Sequence, residues 1–281
     1  MEPENRIKRK KLHRQLVLIK GAGDLASGVA LRLYQAGFKV AMTEQVRPTV
    51  IRRPVSFAQA VYDGKVTVEG VQAQKVEGTS RLKAETIYSL INQAVIPVVV
   101  DPELHVLNYL EPEIFIEGTL SKKNDGTTLQ DAPLVIALGP GFQAGLEVHA
   151  VVETKRGHYL GQVIYSGEAL PNDGQPGMVD GYSVERLLKA PASGIFRSRL
   201  KIGNLASAGE VVGYVADAPV LANISGVIRG LIHDSVKVKE HMKIGDIDPR
   251  ARRDHCFSVS DKARAIGGGV LEAILACEEY N

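Results

Sequence analysis

Tryptophan is absent from this sequence of 281 residues, and aromatic residues make up only 5% of it. Cysteine is nearly absent too. Cys256 and Cys277 are the only two, too few for a disulfide framework in a chain of this size, so a reducing cytoplasm is the expected setting. No apolar run approaches the roughly 20 residues of a membrane-spanning helix, and the charged start lacks the apolar stretch of a secretory signal. Neither sign of charge dominates: 34 Lys and Arg face 32 Asp and Glu, a net charge of +2. Nucleic acid and membrane surfaces are therefore not expected partners. The phosphate-loop pattern G-x-x-x-x-G-K-[ST] and the nucleophile elbow G-x-S-x-G are missing. What remains is a globular composition, 44% hydrophobic and 23% charged, in a chain long enough for two domains.

The local cationic excess sits in Arg6-Ile7-Lys8-Arg9-Lys10-Lys11-Leu12-His13-Arg14, which reads as a solvated tail or a contact to an acidic partner. Leu16–Ile19 follows as an apolar run of strand character. Gly21-Ala-Gly-Asp24 then leads into Leu25–Tyr34, whose apolar residues recur at spacings of three and four, as on one face of a helix. Gly37 reads as the helix C-cap, and Lys39–Glu44 as the next strand. Further strand-like runs are Gln72–Val76, Ile96–Asp101, Glu113–Glu117 and Leu134–Leu138, with a helical pattern over Ser80–Asn92. Continuous apolar runs such as Pro97–Val100 suit parallel strands buried on both faces. The expected fold class is therefore α/β, with a Rossmann-like, doubly wound sheet over residues 15–146.

The first glycine loop fits G-x-G-x-x-A as Gly21, Gly23 and Ala26. Gly21 permits a tight strand-to-helix turn, Gly23 lets an anion approach the backbone, and Ala26 keeps helix and sheet close. Free N–H groups at the helix start, with the helix dipole behind them, favour an anion there. Asp24 offers the competing reading, because an aspartate at a helix start can satisfy those N–H groups itself. Glu44 ends the second strand where a carboxylate can accept a ribose hydroxyl. Beyond Thr43 and Glu44, Arg47, Arg52 and Arg53 either face a phosphate or lie solvated on a loop. Asp101 closes a strand at the sheet's carboxyl edge, where it contacts a ligand or metal, or caps a turn.

Gly139, Gly141 and Gly145 follow the last apolar strand and are expected to line the same crevice or to form a plain connection. Gly267 and Gly268, with Gly269, read as a second glycine loop opening a helix, either an anion nest or a flexible entry. His149, Glu153 and His158 lack a helical metal spacing, so no metal site is expected. Cys256, near Arg253, Asp254 and His255, is either a reactive thiol or a small buried hydrophobe, and Cys277 reads as core.

From Lys189 the pattern changes to short β-rich pieces broken by glycine, and one piece repeats. Ala190-Pro-Ala-Ser-Gly-Ile-Phe-Arg197 and Ala222-Asn-Ile-Ser-Gly-Val-Ile-Arg229 lie 32 positions apart, as do Gly209–Gly213 and His241–Gly245. Two matched halves resemble a biotinyl/lipoyl-like β-barrel. The stretch between them, Ala216-Asp-Ala-Pro-Val220, carries no lysine for cofactor attachment. The expected organisation is a basic tail (1–14), the Rossmann-like domain (15–146), this barrel (186–249), and a connecting and C-terminal helical region (147–185 and 250–281).

At these glycine loops the chain resembles the YqeB-like family, accessory proteins of the selenium-dependent molybdenum hydroxylase system. The resemblance rests on Lys20–Gly28, Leu138–Gly145, Val152–His158, Ile244–Arg250 and Ser260–Ile274. The N-terminal part also looks like the Rossmann portion of XdhC-type maturation proteins. The resemblance implies a maturation factor that binds a nucleotide or a molybdenum-cofactor form and meets a molybdenum hydroxylase client; it assigns no catalytic residue. Two other readings stand beside it: an NAD-dependent oxidoreductase, favoured by Glu44, and a non-catalytic docking scaffold. A symmetric homodimer is compatible with a chain of this kind.

Overall fold

The structure, a computed structural model, describes residues 15–78 and 83–278; the basic tail lies outside them. The first part comprises β1 (Leu16–Lys20), α1 (Asp24–Ala36), β2 (Lys39–Glu44), α2 (Ala60–Asp63), β3 (Lys65–Val68), β4 (Val71–Val76) and α3 (Lys83–Asn92). It continues with β5 (Ile96–Val100), α4 (Leu107–Leu110), β6 (Ile114–Glu117), β7 (Leu134–Leu138), β8 (Ala150–Val152) and β9 (Val163–Ile164). All nine strands form one sheet in the order β3-β4-β5-β2-β1-β6-β7-β8-β9. The inner strands pair in parallel. The edge pairs β3·β4 and β8·β9 are antiparallel.

Sequence pattern explains the centre of this sheet. Val17, Leu18 and Ile19 are wholly buried, as inner strands covered on both faces require. On one face α1 buries Leu25, Ala26, Val29, Ala30 and Leu33 at helical spacing. It stops at Gly37, whose φ of 97° allows its N–H to turn back to the last turn. The other face is covered by Ile87, Leu90, Val106 and Leu110, from α3 and α4 and the residue before α4.

The second part holds β10 (Leu187–Lys189), β11 (Gly194–Ser198), β12 (Leu205–Ala206), β13 (Val211–Val215) and β14 (Ala218–Leu221). Then come β15 (Gly226–Leu231), β16 (Lys237–Val238), β17 (Lys243–Asp248) and the closing helix α5 (Asp261–Glu278). The strands form two four-stranded antiparallel sheets, β10-β17-β15-β12 and β14-β13-β11-β16. They share a core of Leu188, Phe196, Val212, Val215, Ile228 and Ile244. The 32-residue repeat maps one half onto each sheet, as the central pairs β11·β13 and β15·β17.

The expected fold class is corrected in four respects. The large sheet is mixed rather than a doubly wound Rossmann-like one, because hairpin pairing at both edges adds antiparallel strands. It does not stop at residue 146 but runs on through β8 and β9. The repeat region is a pair of open sheets, not a biotinyl/lipoyl-like barrel: among the described residues no strand of one sheet hydrogen-bonds to the other. Nor is the C-terminal helix a separate segment. Ala263, Ile266, Val270 and Ile274 of α5 belong to the same buried cluster as Val29 and Leu33 of α1. No helix among the described residues is long and apolar enough to cross a membrane.

Candidate functional site

The carboxyl ends of β1, β2, β5 and β6 open into a cleft of about 650 Å³. Lys20, Glu44, Asp101 and Gly118-Thr119 come from those ends, Gly21 and Gly23–Ala26 from the first glycine loop and α1. Met242 and Lys243 reach in from the two-sheet module. Gly21 sits at φ +88°, the left-handed conformation that turns β1 into the loop. Gly23 is the N-cap of α1, extended, with no side-chain cap hydrogen bond. A Cβ built on it meets nothing within 4 Å. The first-turn amides of Asp24, Leu25 and Ala26 therefore lack partners within the helix and face an open approach.

Glu44 and Asp101 on the cleft wall already accept backbone amides. Glu44 accepts the Ala22 amide on Oε2 at 2.9 Å and the Gln45 amide on Oε1 at 2.7 Å. Burial raises its pKa, and these two N–H groups oppose the rise. Asp101 is buried; its Oδ2 accepts the Val106 amide at 2.8 Å and its Oδ1 lies 3.2 Å from His105 Nδ1. It is the turn cap of the two readings considered. Asp24 does not cap its own helix; its carboxylate lies 3.8 Å from the Arg52 guanidinium. Lys20 is paired at 2.7 Å with Glu117. Glu117 is 1% exposed and also accepts from the Thr119 amide and the Thr127 hydroxyl.

Of the residues singled out in the sequence, Gly21, Gly23, Asp24, Ala26, Glu44 and Asp101 meet at this cleft. The other five do not line it. Gly139 and Gly141 have positive φ, Gly139 against the Thr154 side chain and Gly141 against the Lys122-Lys123 backbone, so they serve turn geometry; Gly145 is likewise a positive-φ turn residue. Gly267 and Gly268 lie inside α5, not before it. Their amides belong to the helix, and the expected anion nest is corrected. Gly267 instead lets α5 approach the Gly28 carbonyl of α1.

Arg52 and Arg53 are corrected as well, whereas Arg47 is exposed. Arg52 is buried and donates to the carbonyls of His255 and Ser258, and Arg53 donates to Leu231 O. Both tie the first part of the chain to the second. Cys256 is fully buried, its Sγ 3.6 Å from Ile228 O, and burial raises its pKa; it is a core thiol. Among the described residues no group of three His, Cys, Asp or Glu side chains is placed to hold a metal. His149 accepts the Val135 amide, and Glu153 accepts those of Lys155 and Leu170.

Sequence reasoning missed Lys20, Gly118, Thr119 and Lys243. Glu117-Gly-Thr119 carried a usable signal, a polar turn directly after a buried parallel strand. Lys243 carried none, because the docking of the two-sheet module brings it there.

No family model matches the chain. It is 53% identical over 261 residues, 93% of its length, to a protein of Escherichia coli (strain K12) described as "Uncharacterized protein YqeB". The chain spans 47% of that relative. Solved structures that match include a succinylglutamate desuccinylase/aspartoacylase from Rhodobacter sphaeroides, 10% identical, covering 83% of this chain and 85% of that one with a TM-score of 0.25. An aspartoacylase family protein from Mesorhizobium loti is 12% identical, covers 84% and 86%, and has a TM-score of 0.26. TM-scores this low transfer neither fold nor activity.

These findings correct the functional expectation. The curated relative is described only as uncharacterized, so it brings no activity and no accessory role to this chain. A maturation role for a molybdenum hydroxylase, with its selenium system, nucleotide or molybdenum cofactor and client, is therefore not upheld. The NAD-dependent oxidoreductase finds no support in the comparisons either.

Proposed function

We propose that this chain binds a small anionic molecule in the cleft at the carboxyl ends of β1, β2, β5 and β6, with the first turn of α1 holding the charged group. One observation carries the reading. The α1 amides lack a cap and face open space at Gly23, while Glu44 and Asp101 on the wall already accept backbone amides. The unmatched groups of the cleft are donors, and an oxyanion is the chemistry that satisfies donors at a helix start.

A thermal-shift panel of small phosphate and carboxylate compounds tests this on the wild-type chain and on Gly23→Asp. Position 23 has ordinary backbone angles and room for a side chain, so the variant folds. Its carboxylate caps α1, worth a few tenths of a kcal/mol over glycine, and occupies the anion position. A ligand at about a hundred times its Kd adds roughly 2.7 kcal/mol to the wild type. The expected result is a saturable shift that disappears in Gly23→Asp; a shift equal in both proteins sinks the reading.

A further inference from the structure

Beside the cleft, and sharing Leu25, Leu120 and Lys243 with it, lies a second basin of about 530 Å³. Its walls bring together Arg186, Arg229 and Lys243 from the two-sheet module and the turn before it, Lys262 from α5, and Lys122 and Arg156 from loops of the large sheet. The acids on these walls are Asp173 and Asp246. We propose that this basin binds a polyanion, a compound with two or more phosphate or carboxylate groups, held by Arg186, Arg229 and the surrounding lysines. The assignment rests on the side chains of the basin and does not depend on the anion site at α1.

The argument is one of unmatched donors. Arg156 is satisfied by two hydrogen bonds to Asp261, at 2.6 and 3.0 Å, and Asp173 is taken by Lys155 at 3.1 Å. The two buried guanidiniums have ion-pair partners but are incompletely hydrogen-bonded, and Asp246 Oδ1 beside them is buried without a hydrogen-bond partner. The Arg186 side chain is 8% exposed; it donates to Gly177 O, but its NH1 lies 3.7 Å from Asp246 and its Nε has no partner. Arg229, 13% exposed, lies 3.6 Å from an Asp248 that Arg250 already holds at 2.9 and 2.6 Å. Its Nε is also buried without a partner, and among the described residues Arg229 donates no hydrogen bond.

Lys122, Lys243 and Lys262 form no ion pair among the described residues. Burial, and then the nearby Arg156, push the Lys262 ammonium below its ordinary pKa, against the opposing pull of Asp24, Glu153 and Asp261. Leaving buried charged donors without hydrogen bonds is costly. Guanidinium forks match the paired oxygens of phosphate and carboxylate. A single monoanion leaves most of this positive charge uncompensated, whereas clustered oxyanions meet several cations at once.

Calorimetric titration of the full chain with inorganic tripolyphosphate, citrate and inorganic phosphate tests the assignment. At least one polyanion should bind saturably, ten times tighter than inorganic phosphate or better, and weaken steeply with added salt. Binding by tripolyphosphate alone identifies a polyphosphate site, and equal binding by citrate a general polyanion site; both support the proposal. The double variant Lys122→Gln/Lys262→Gln alters partly exposed positions that form no ion pair, and should cost tenfold or more in affinity. Gly23→Asp should leave that affinity within about twofold. Three outcomes overturn the assignment: no saturable polyanion binding, binding indifferent to the double lysine variant, or binding lost in Gly23→Asp alone. The last of these places the anion at α1 and leaves the proposed function standing.

Discussion

The Ala22 amide donates to Glu44 Oε2 at 2.9 Å, so the carboxylate that ends β2 holds the loop that ends β1. Its second oxygen takes the Gln45 amide. The acid that reads from sequence as a ribose contact is thus the fastening of the glycine loop, and it shapes the cleft by fixing where α1 begins.

Glu44→Ala removes that fastening and leaves the buried-side Ala22 amide and the solvent-exposed Gln45 amide without their acceptor. Each unsatisfied amide costs about 1–3 kcal/mol, less where water can reach it. Chemical denaturation should show a loss of about 1–3 kcal/mol, with Glu44→Gln intermediate because its carbonyl accepts one amide of the two. Anion binding at α1 should weaken in step with loop stability. A Glu44→Ala protein as stable as wild type removes this role.

The contact between α1 and α5 supplies a second pair of outcomes. A Cβ on Gly28 would lie 2.6 Å from the Ala263 Cβ, whereas one on Gly268, also helical, meets nothing within 4 Å. Gly28→Ala should therefore cost about 1–3 kcal/mol by forcing the helices apart. Gly268→Ala should stabilise by about 0.5–1 kcal/mol, the ordinary gain of alanine over glycine inside a helix. Equal effects at the two positions would contradict the crossing.

What was legible in the sequence was short-range. Strand, glycine loop, helix and strand over residues 16–44 follow from local periodicity and capping, and they placed Gly21, Gly23, Ala26 and Glu44 at the cleft. The Gly267–Gly269 run was misread as a loop because three glycines locally break a helix. In the fold Gly267 and Gly269 are small so that α5 can approach α1 and Gly161; packing outweighs propensity there. The Lys20–Glu117 pair and Lys243 join residues distant in sequence, set by strand order and by docking of the second module. Resemblance of ordered motifs reached a likeness of sequence but not an activity.

Cys256 offers a chemical check on the buried junction between the two parts. Its thiol is 0% exposed and shifted upward by burial, so it should resist a thiol-specific reagent in the native protein. Titration with Ellman's reagent should show no native-state signal from this residue, so Cys256→Ser should leave the native signal unchanged. Full reaction of both cysteines should appear only in denaturant. Rapid native modification of Cys256 would mean that the junction opens.

Histidine protonation sets a pH signature. His149 Nδ1 accepts the Val135 amide at 3.0 Å, which only an unprotonated nitrogen can do, and burial pushes its pKa below the ordinary value. The unfolded chain takes up this proton near pH 6.5, while the folded chain does so only at lower pH. Between those two points the unfolded state binds more protons, so stability falls as pH drops below about 6.5 and is fully present above it. His233, lowered by burial and by Arg53, adds a slope of the same sign. Urea melts at pH 7.5 and 5.5 should therefore show wild-type stability decreasing across the interval. His149→Gln keeps an acceptor for the Val135 amide without the titration, so it should reduce that decrease, and the residual slope should belong to His233. An identical decrease in the variant would show that His149 is not held neutral by the fold.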